Sequence, residues 1–149
     1  MSTRRRHLVR AVVAIGAAAA LALPLAGSAA GAPTPRNGVC EAGEFCLYWG
    51  LGGPSGGSSV SDFTTSIPEY GNTQPTCYDF KGPGVGKGEC VKNNAASAYN
   101  RRSGTVRLYI LPNCGSTGRW VLQPGQRVDD LTPYIDRNQS HSVASSGTC

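Results

Sequence analysis

Residues 93–109 read NNAASAYNRRSGTVRLY, and both halves of this stretch recur elsewhere in the chain. The first half opens with an Asn/Asp-x-x-x-Ser pattern at residues 93–97, which returns 43 positions later at residues 136–140. The second half ends in a Leu-Tyr pair at residues 108–109, which lies 61 positions after the Leu-Tyr pair at residues 47–48. One unit of a repeat therefore closes within this stretch, and the next unit opens.

The offset of 61 extends to a glycine and a valine, because Gly57 and Val60 are matched by Gly118 and Val121. Each copy then has an aromatic strand, a Gly-rich turn, a second strand and a closing Asn/Asp-x-x-x-Ser turn. This order predicts a Greek-key β-sandwich built of two repeats. The alternative is coincidence, since the 149 residues include 20 glycines and single matches are easily found.

The rest of the chain predicts short strands separated by Gly- and Pro-rich turns. Residues 105–110 alternate, with Val106, Leu108 and Ile110 on one face, which is typical of a half-buried antiparallel strand. No stretch has convincing helical periodicity, so we expect an all-β domain. Further strands are predicted at residues 45–49, 58–63, 77–80, 89–92, 118–122 and 127–131.

The first 30 residues have the pattern of a secretory signal peptide. Four arginines within the first ten residues precede an apolar run at residues 11–26, and small residues end the segment at Ala30. The run is shorter than the ~20 residues that a membrane-spanning helix needs. We therefore expect a secreted protein with a signal peptide at residues 1–30, a flexible lead at residues 31–39 and one domain at residues 40–149.

The charge of the chain lies mostly in this leader. The formal net charge is +5, but removal of residues 1–30 leaves ten cations against nine carboxylates. Nor does the remaining chain have a basic patch interleaved with aromatic residues. The sequence therefore predicts binding neither to nucleic acid nor to a membrane.

All six cysteines follow the leader, and an even number in an exported chain indicates disulfides. Six cysteines allow 15 pairings, which sequence alone does not distinguish. Cys40 with Cys46, and Cys77 with Cys90, are local pairs whose intervening segments can turn back. That choice leaves Cys114 to pair with Cys149.

Neither catalysis nor phosphate binding finds support in the sequence. The glycine-rich runs at residues 50–57 and 82–88 lack the Gly-Lys-Ser/Thr ending and the following helix of a phosphate-binding loop. His141 precedes Ser142, but adjacency in sequence does not supply the geometry of a nucleophile and its base. We therefore expect a protein that is not an enzyme.

Three segments carry a resemblance to a known family: residues 40–48 (CEAGEFCLY), residues 91–97 (VKNNAAS) and residues 105–109 (TVRLY), with Gln-Pro-Gly following at residues 123–125. They resemble the secreted actinobacterial proteins of peptidase inhibitor family I36. The resemblance covers nearly the whole chain after the leader. It implies a βγ-crystallin-like Greek-key β-sandwich stabilised by disulfides.

The resemblance also implies inhibition of extracellular peptidases, most of all thermolysin-type metalloproteases, through a disulfide-braced loop. In the inhibitory members a Cys-Val bond lies in a short disulfide-closed loop after the Leu-x-Tyr-like strand. Here the Cys-Val pair is Cys90 and Val91, before the Asn-Asn turn, and it is the first candidate for the inhibitory site. The positional alternative is the loop with Asn113, Cys114 and Gly115, which has one cysteine where the family loop has two. Val91 as a core strand residue is the competing interpretation.

The resemblance further implies a weak calcium site, because βγ-crystallins bind Ca²⁺ through Asn/Asp and Ser side chains in such turns. The residues in question are Asn93, Asn94 and Ser97 in one turn and Asp136 and Ser140 in the other. With so few carboxylates, any Ca²⁺ affinity is expected to be no better than ~10⁻⁴ M. A turn capped by Asn and Ser side chains, with no cofactor, is the simpler interpretation.

Two functions therefore remain open. One is a monomeric, secreted inhibitor whose partner is an extracellular protease. The other is a non-inhibitory extracellular βγ-crystallin-like module with at most weak calcium binding.

Overall fold

The computed structural model describes residues 31–115, 119–143 and 148–149. The signal peptide predicted at residues 1–30 lies outside these residues. So does Gly118, the glycine matched with Gly57 in the predicted repeat. Within the described part, no helix is long and apolar enough to span a membrane.

Seven strands of two to four residues and one short 3₁₀ helix form the described fold. The strands follow stretches rich in β-branched and aromatic residues, and glycines and prolines interrupt them. The 3₁₀ helix is Gly53–Ser55. The strands are β1 (Phe45–Tyr48), β2 (Val60–Phe63), β3 (Ser97–Asn100), β4 (Val106–Tyr109), β5 (Arg119–Leu122), β6 (Arg127–Val128) and β7 (Ser140–Ser142).

The strands form two antiparallel sheets. The first sheet has the order β2-β1-β3-β6, and the second has the order β5-β4-β7. The inner faces of both sheets meet in one core, to which β1 contributes Phe45 and Leu47 and β4 contributes Val106 and Leu108. The alternation predicted for residues 105–110 holds from Val106 to Leu108, which are buried, with the half-exposed Arg107 between them. It ends there, because Tyr109 is also buried and Ile110 is only partly buried.

The repeat inferred from sequence matches the strand registers. Tyr48 of β1 lies opposite Ser97 of β3, and Tyr109 of β4 lies opposite Ser140 of β7. The two tyrosines are 61 residues apart and the two serines are 43 apart. Both offsets therefore describe one superposition of the second repeat on the first.

The match of Val60 with Val121 is wrong. Val60 lies opposite Tyr48, whereas Val121 lies opposite Arg107, and Arg119 is the residue opposite Tyr109. The connection between the first two strands is thus two residues shorter in the second repeat. As a result, Val60 is buried and Val121 is 38% exposed.

Each repeat completes the sheet of the other. Strand β6, from the second repeat, pairs with β3 of the first, where Val128 lies opposite Ala98. In return, Ile67 of the first repeat pairs with His141 of β7, with both backbone N–H to O distances at 3.0 Å. Ile67 and Val128 are again 61 positions apart, so the exchange is symmetric.

The predicted strands at residues 77–80 and 89–92 are reduced to a single antiparallel bridge between Asp79 and Cys90. For strands β3 and β7, in contrast, the sequence predicts only closing turns. Their small and polar residues carry no hydrophobic alternation, but Ser97, Asn100 and Ser140 are fully buried.

The lead at residues 31–39, expected to be flexible, is held against β2. Asn37 and Gly38 donate backbone N–H groups to the two carboxylate oxygens of Asp62, at 2.9 and 2.8 Å. The Arg36 guanidinium pairs with Asp79 at 2.9 Å. Residues 37 and 38 are thus anchored by a buried carboxylate about 25 residues away in the chain, which local composition does not reveal.

The disulfides are those preferred from sequence. Cys40 bonds to Cys46, Cys77 to Cys90, and Cys114 to Cys149, with Cα–Cα distances of 5.9, 5.7 and 5.7 Å. These separations lie in the usual range for a disulfide.

Candidate functional site

Val91, the first candidate for the inhibitory residue, lies in the core. Its side chain is fully buried. Its N–H donates to the carbonyl of Tyr78 at 2.7 Å, and its carbonyl accepts from the Asn138 side-chain amide at 2.8 Å. A protease cannot reach the Cys90–Val91 bond in the folded protein, so we reject this pair as the inhibitory site. The Asp79–Cys90 bridge next to it turns Val91 inward.

The alternative loop is accessible but is not extended. Leu111 is 49% exposed, and Asn113 and Cys114 both adopt left-handed backbone conformations, with φ of 54° and 55°. The Asn113 N–H donates to the carbonyl of Pro68 at 2.6 Å, and the Gly115 N–H donates to the carbonyl of Pro112 at 3.1 Å. This segment is a tight turn, whereas a protease cleft requires extended backbone.

The residues proposed for calcium are turn residues in equivalent positions. Asn93 and Asp136, 43 residues apart, both have left-handed backbones, with φ of 60° and 54°. Ser97 Oγ donates to the carbonyl of Gly50 at 2.5 Å, and Ser140 Oγ donates to the carbonyl of Leu111 at 2.6 Å. Both hydroxyls are therefore engaged within the protein.

The Asn94 side chain is engaged as well, since its amide donates to the carbonyl of Cys90 at 2.9 Å. Among the described residues no group of three or more His, Cys, Asp or Glu side chains is arranged to hold a metal ion. These contacts match the turn-capping role that Asn and Ser side chains commonly have.

His141 is a structural residue of the core. The Tyr70 hydroxyl donates to its Nδ1 at 2.7 Å, and its Nε2–H donates to the carbonyl of Thr65 at 2.9 Å. Burial lowers its pKa to about 3. Both ring nitrogens are occupied and Ser142 is buried beside it, so the pair has no access to a substrate.

A third loop contains the glycine-rich run at residues 82–88, which lacks the features of a phosphate-binding loop. The Cys77–Cys90 disulfide closes it, and we call its outer part, residues 82–88, the tip loop. At its centre Val85 is 62% exposed, the largest exposure among the large apolar side chains of the described chain. No sequence signal marks this valine except its position inside a disulfide-closed segment.

The tip loop is held firmly against the edge of the first sheet. Ser59 donates its N–H to the carbonyl of Val85 at 2.8 Å and its hydroxyl to the carbonyl of Gly82 at 2.6 Å. At its base, Phe80 and Gly88 are joined by an N–H to O bond of 2.8 Å. The loop thus forms an additional, short edge element beside β2.

Two glycines let the tip loop lie this close. Gly84 has φ of 112°, and a Cβ there would lie 2.5 Å from the carbonyl oxygen of Gly57. A Cβ on Gly86 would lie 2.1 Å from Cγ of Trp49, so the indole packs directly on the Gly86 backbone. Any other residue at either position would push the loop away from the sheet.

Comparison with known families gives one match by sequence model, to peptidase inhibitor family I36 over residues 33–122. The chain belongs to family I36. The match covers more than half of the chain and includes the tip loop and strands β1 to β5. As a member of this family, the chain is a peptidase inhibitor and not an enzyme.

Solved structures similar to the I36 chain are βγ-crystallin domains. A βγ-crystallin from an archaeon is 20% identical, with a TM-score of 0.46, and the alignment covers 70% of this chain and 100% of that chain. A structure described under the evolution of the eye-lens βγ-crystallin domain fold is 16% identical, with a TM-score of 0.50, and the alignment covers 71% of this chain and 90% of that chain. The search of curated proteins gives no match. Together with the two exchanged sheets, the second likeness confirms the βγ-crystallin fold.

Proposed function

We propose that this protein is secreted and inhibits an extracellular thermolysin-type metalloprotease, with a loop that a disulfide holds rigid. Membership in family I36 supports the inhibitory role. The three disulfides, which leave no free cysteine, support an oxidising, extracellular compartment.

The observation that carries the proposal is the pairing of rigidity with apolar exposure. The Cys77–Cys90 disulfide closes a loop that displays Val85 to solvent, and Leu111 is exposed three residues before Cys114 of the Cys114–Cys149 disulfide. A loop that is already ordered loses little conformational entropy on binding, so more of its contact energy appears as affinity. Thermolysin-like proteases favour an apolar residue after the cut, and both displayed side chains are apolar.

The test is an inhibition assay with the chain that follows the leader, residues 31–149. We expect a titration against thermolysin to give loss of protease activity at near-stoichiometric concentrations, with little effect on subtilisin. Protein whose disulfides have been reduced and alkylated is the matched control and should not inhibit.

Inhibition of subtilisin alone would move the target to the serine proteases. No inhibition of either enzyme by folded, oxidised protein would leave the second function, a non-inhibitory extracellular βγ-crystallin-like module. Size-exclusion chromatography in the same preparation should show a monomer.

A further inference from the structure

We propose that Val85, at the centre of the tip loop, is the side chain that this protein inserts into the apolar specificity pocket of its metalloprotease. It would act as a single anchor that is not cleaved. The inference rests on the proposed function and adds the residue, the pocket chemistry and the fate of the bond.

The shape of the tip loop makes Val85 accessible to a protease. Val85 is 62% exposed, and glycines flank it at positions 84 and 86. With no side chain on either neighbour, a protease surface can approach the loop backbone closely and enclose the valine. The same side chain on a crowded strand would be shielded by its neighbours.

The tip loop also holds Val85 rigidly. The backbone of Val85 is held on both sides, with its carbonyl accepting from Ser59 at 2.8 Å and its N–H directed at the carbonyl of Gly57 at 3.4 Å. The Cys77–Cys90 disulfide and the Trp49 ring fix the base and the flank of the loop. The valine is thus presented in one position, which is the condition for an efficient anchor.

The backbone of the tip loop is poorly suited to cleavage beside Val85. A protease cuts a segment that is extended on both sides of the bond, but Gly84 and Gly86 have φ of 112° and 87°. The hydrogen-bonding groups of Val85 are also directed at Gly57 and Ser59, so they are not free to pair with the protease. The bond between Gly84 and Val85 should therefore survive in the complex.

Charge supplies the competing assignment on the same loop. Lys87, two residues from Val85, is also exposed, and a protease with an acidic pocket would take the lysine instead. A basic anchor would imply a trypsin-like target. The two assignments share one loop, so substitution of each residue separates them.

The experiment compares three variants of the oxidised chain against thermolysin: Val85→Asp, Lys87→Ser and Leu111→Asp. Wild type sets the reference, and circular dichroism and thermal melting show that each variant is folded. We expect Val85→Asp to raise the inhibition constant at least about 30-fold, as for a central hot-spot residue. Lys87→Ser and Leu111→Asp should stay within about threefold of wild type, as expected for residues outside the hot spot.

Mass spectrometry of the complex after prolonged incubation should show the bond between residues 84 and 85 intact. An unchanged inhibition constant for folded Val85→Asp, or loss of inhibition in Lys87→Ser or Leu111→Asp, would overturn the assignment of Val85. A cut between residues 84 and 85 would overturn the uncleaved anchor. Failure of wild type to inhibit would instead remove the proposed function, which keeps the two failures distinct.

Discussion

Gly53 and Cys114 stand 61 residues apart and occupy the same place in the two repeats. Both have left-handed backbones, with φ of 51° and 55°. The Gly53 N–H donates to Ser97 Oγ at 2.9 Å, and the Cys114 N–H donates to Ser140 Oγ at 3.1 Å. In each repeat, one buried serine hydroxyl therefore holds the turn that follows the first strand. The second repeat uses the same position to attach a disulfide.

The two serines should contribute equally to stability. Ser97→Ala and Ser140→Ala each leave a backbone N–H and a carbonyl without the hydroxyl that paired them. We expect each substitution to lower the free energy of unfolding by about 1–3 kcal/mol. Urea denaturation measures it, and Ser103→Ala, at an exposed serine, is the control. A loss confined to one serine would show that the two turns are not energetically equivalent.

Val91 should tolerate no charge. Because its side chain is fully buried, Val91→Asp places a carboxyl in the core and should cost at least about 3 kcal/mol or prevent folding. The matched control is Val85→Asp, in which the same substitution at an exposed valine should leave the melting temperature nearly unchanged. A folded Val91→Asp protein of normal stability would mean that this segment is not in the core.

The three disulfides should rank by the length of chain that they close. Their sequence separations are 6, 13 and 35 residues. Loop-closure entropy in the unfolded chain then gives contributions of about 2, 3 and 4 kcal/mol. Paired Cys→Ser variants in urea denaturation test the order. If removal of the Cys114–Cys149 bond is the least damaging, unfolded-chain entropy does not determine the ranking.

Burial of His141 should make the protein less stable as the pH falls below 6.5. Its pKa is lowered to about 3 in the folded state, against an ordinary value of 6.5. Between these values the unfolded chain binds a proton that the folded chain does not. Stability from the neutral imidazole is thus complete above pH 6.5, and it declines toward pH 3 by up to about 1.4 kcal/mol per pH unit.

Proton NMR can follow this group directly, because His141 is the only histidine after residue 30. The imidazole signal of the folded protein should not titrate between pH 8 and pH 5. A midpoint near the ordinary value would show that the ring is open to solvent.

Calcium should bind only weakly. The hydroxyls of Ser97 and Ser140 are engaged in turns, and Arg137 follows Asp136, the one carboxylate among the five residues considered. We expect a dissociation constant no better than ~10⁻⁴ M by titration calorimetry. The melting temperature should also be the same in EDTA and in micromolar Ca²⁺. Micromolar binding would show that these turns rearrange around the ion.

The repeat was readable from sequence because the paired positions, Tyr48 with Tyr109 and Ser97 with Ser140, kept their identity. Strands β3 and β7 could not be predicted from sequence, because their burial depends on partners distant in the chain. Asn100, for example, is fully buried, and its side-chain amide donates to the carbonyl of Leu122, 22 residues away in the chain, at 3.0 Å.

The candidate site was less predictable than the fold. Val91 and Val85 both lie in or beside the Cys77–Cys90 loop, and neither has a local pattern that shows which is exposed. Val91 is turned inward by contacts with Tyr78 and Asn138, whereas Val85 is held at the surface by its pairing with residues 57–59, just before β2. Such contacts are set by the three-dimensional arrangement, and a single sequence does not reveal them.

The exchange of edge strands has a consequence for a protein that meets proteases. The link between the repeats, residues 101–104, is largely exposed, and none of the three disulfides joins one repeat to the other. A nick there would still not release two fragments, since β6 stays in the sheet of the first half and Ile67 stays paired in the sheet of the second. Because each half contributes an edge element to the sheet of the other, we expect the cleaved chain to remain a single particle until both halves unfold.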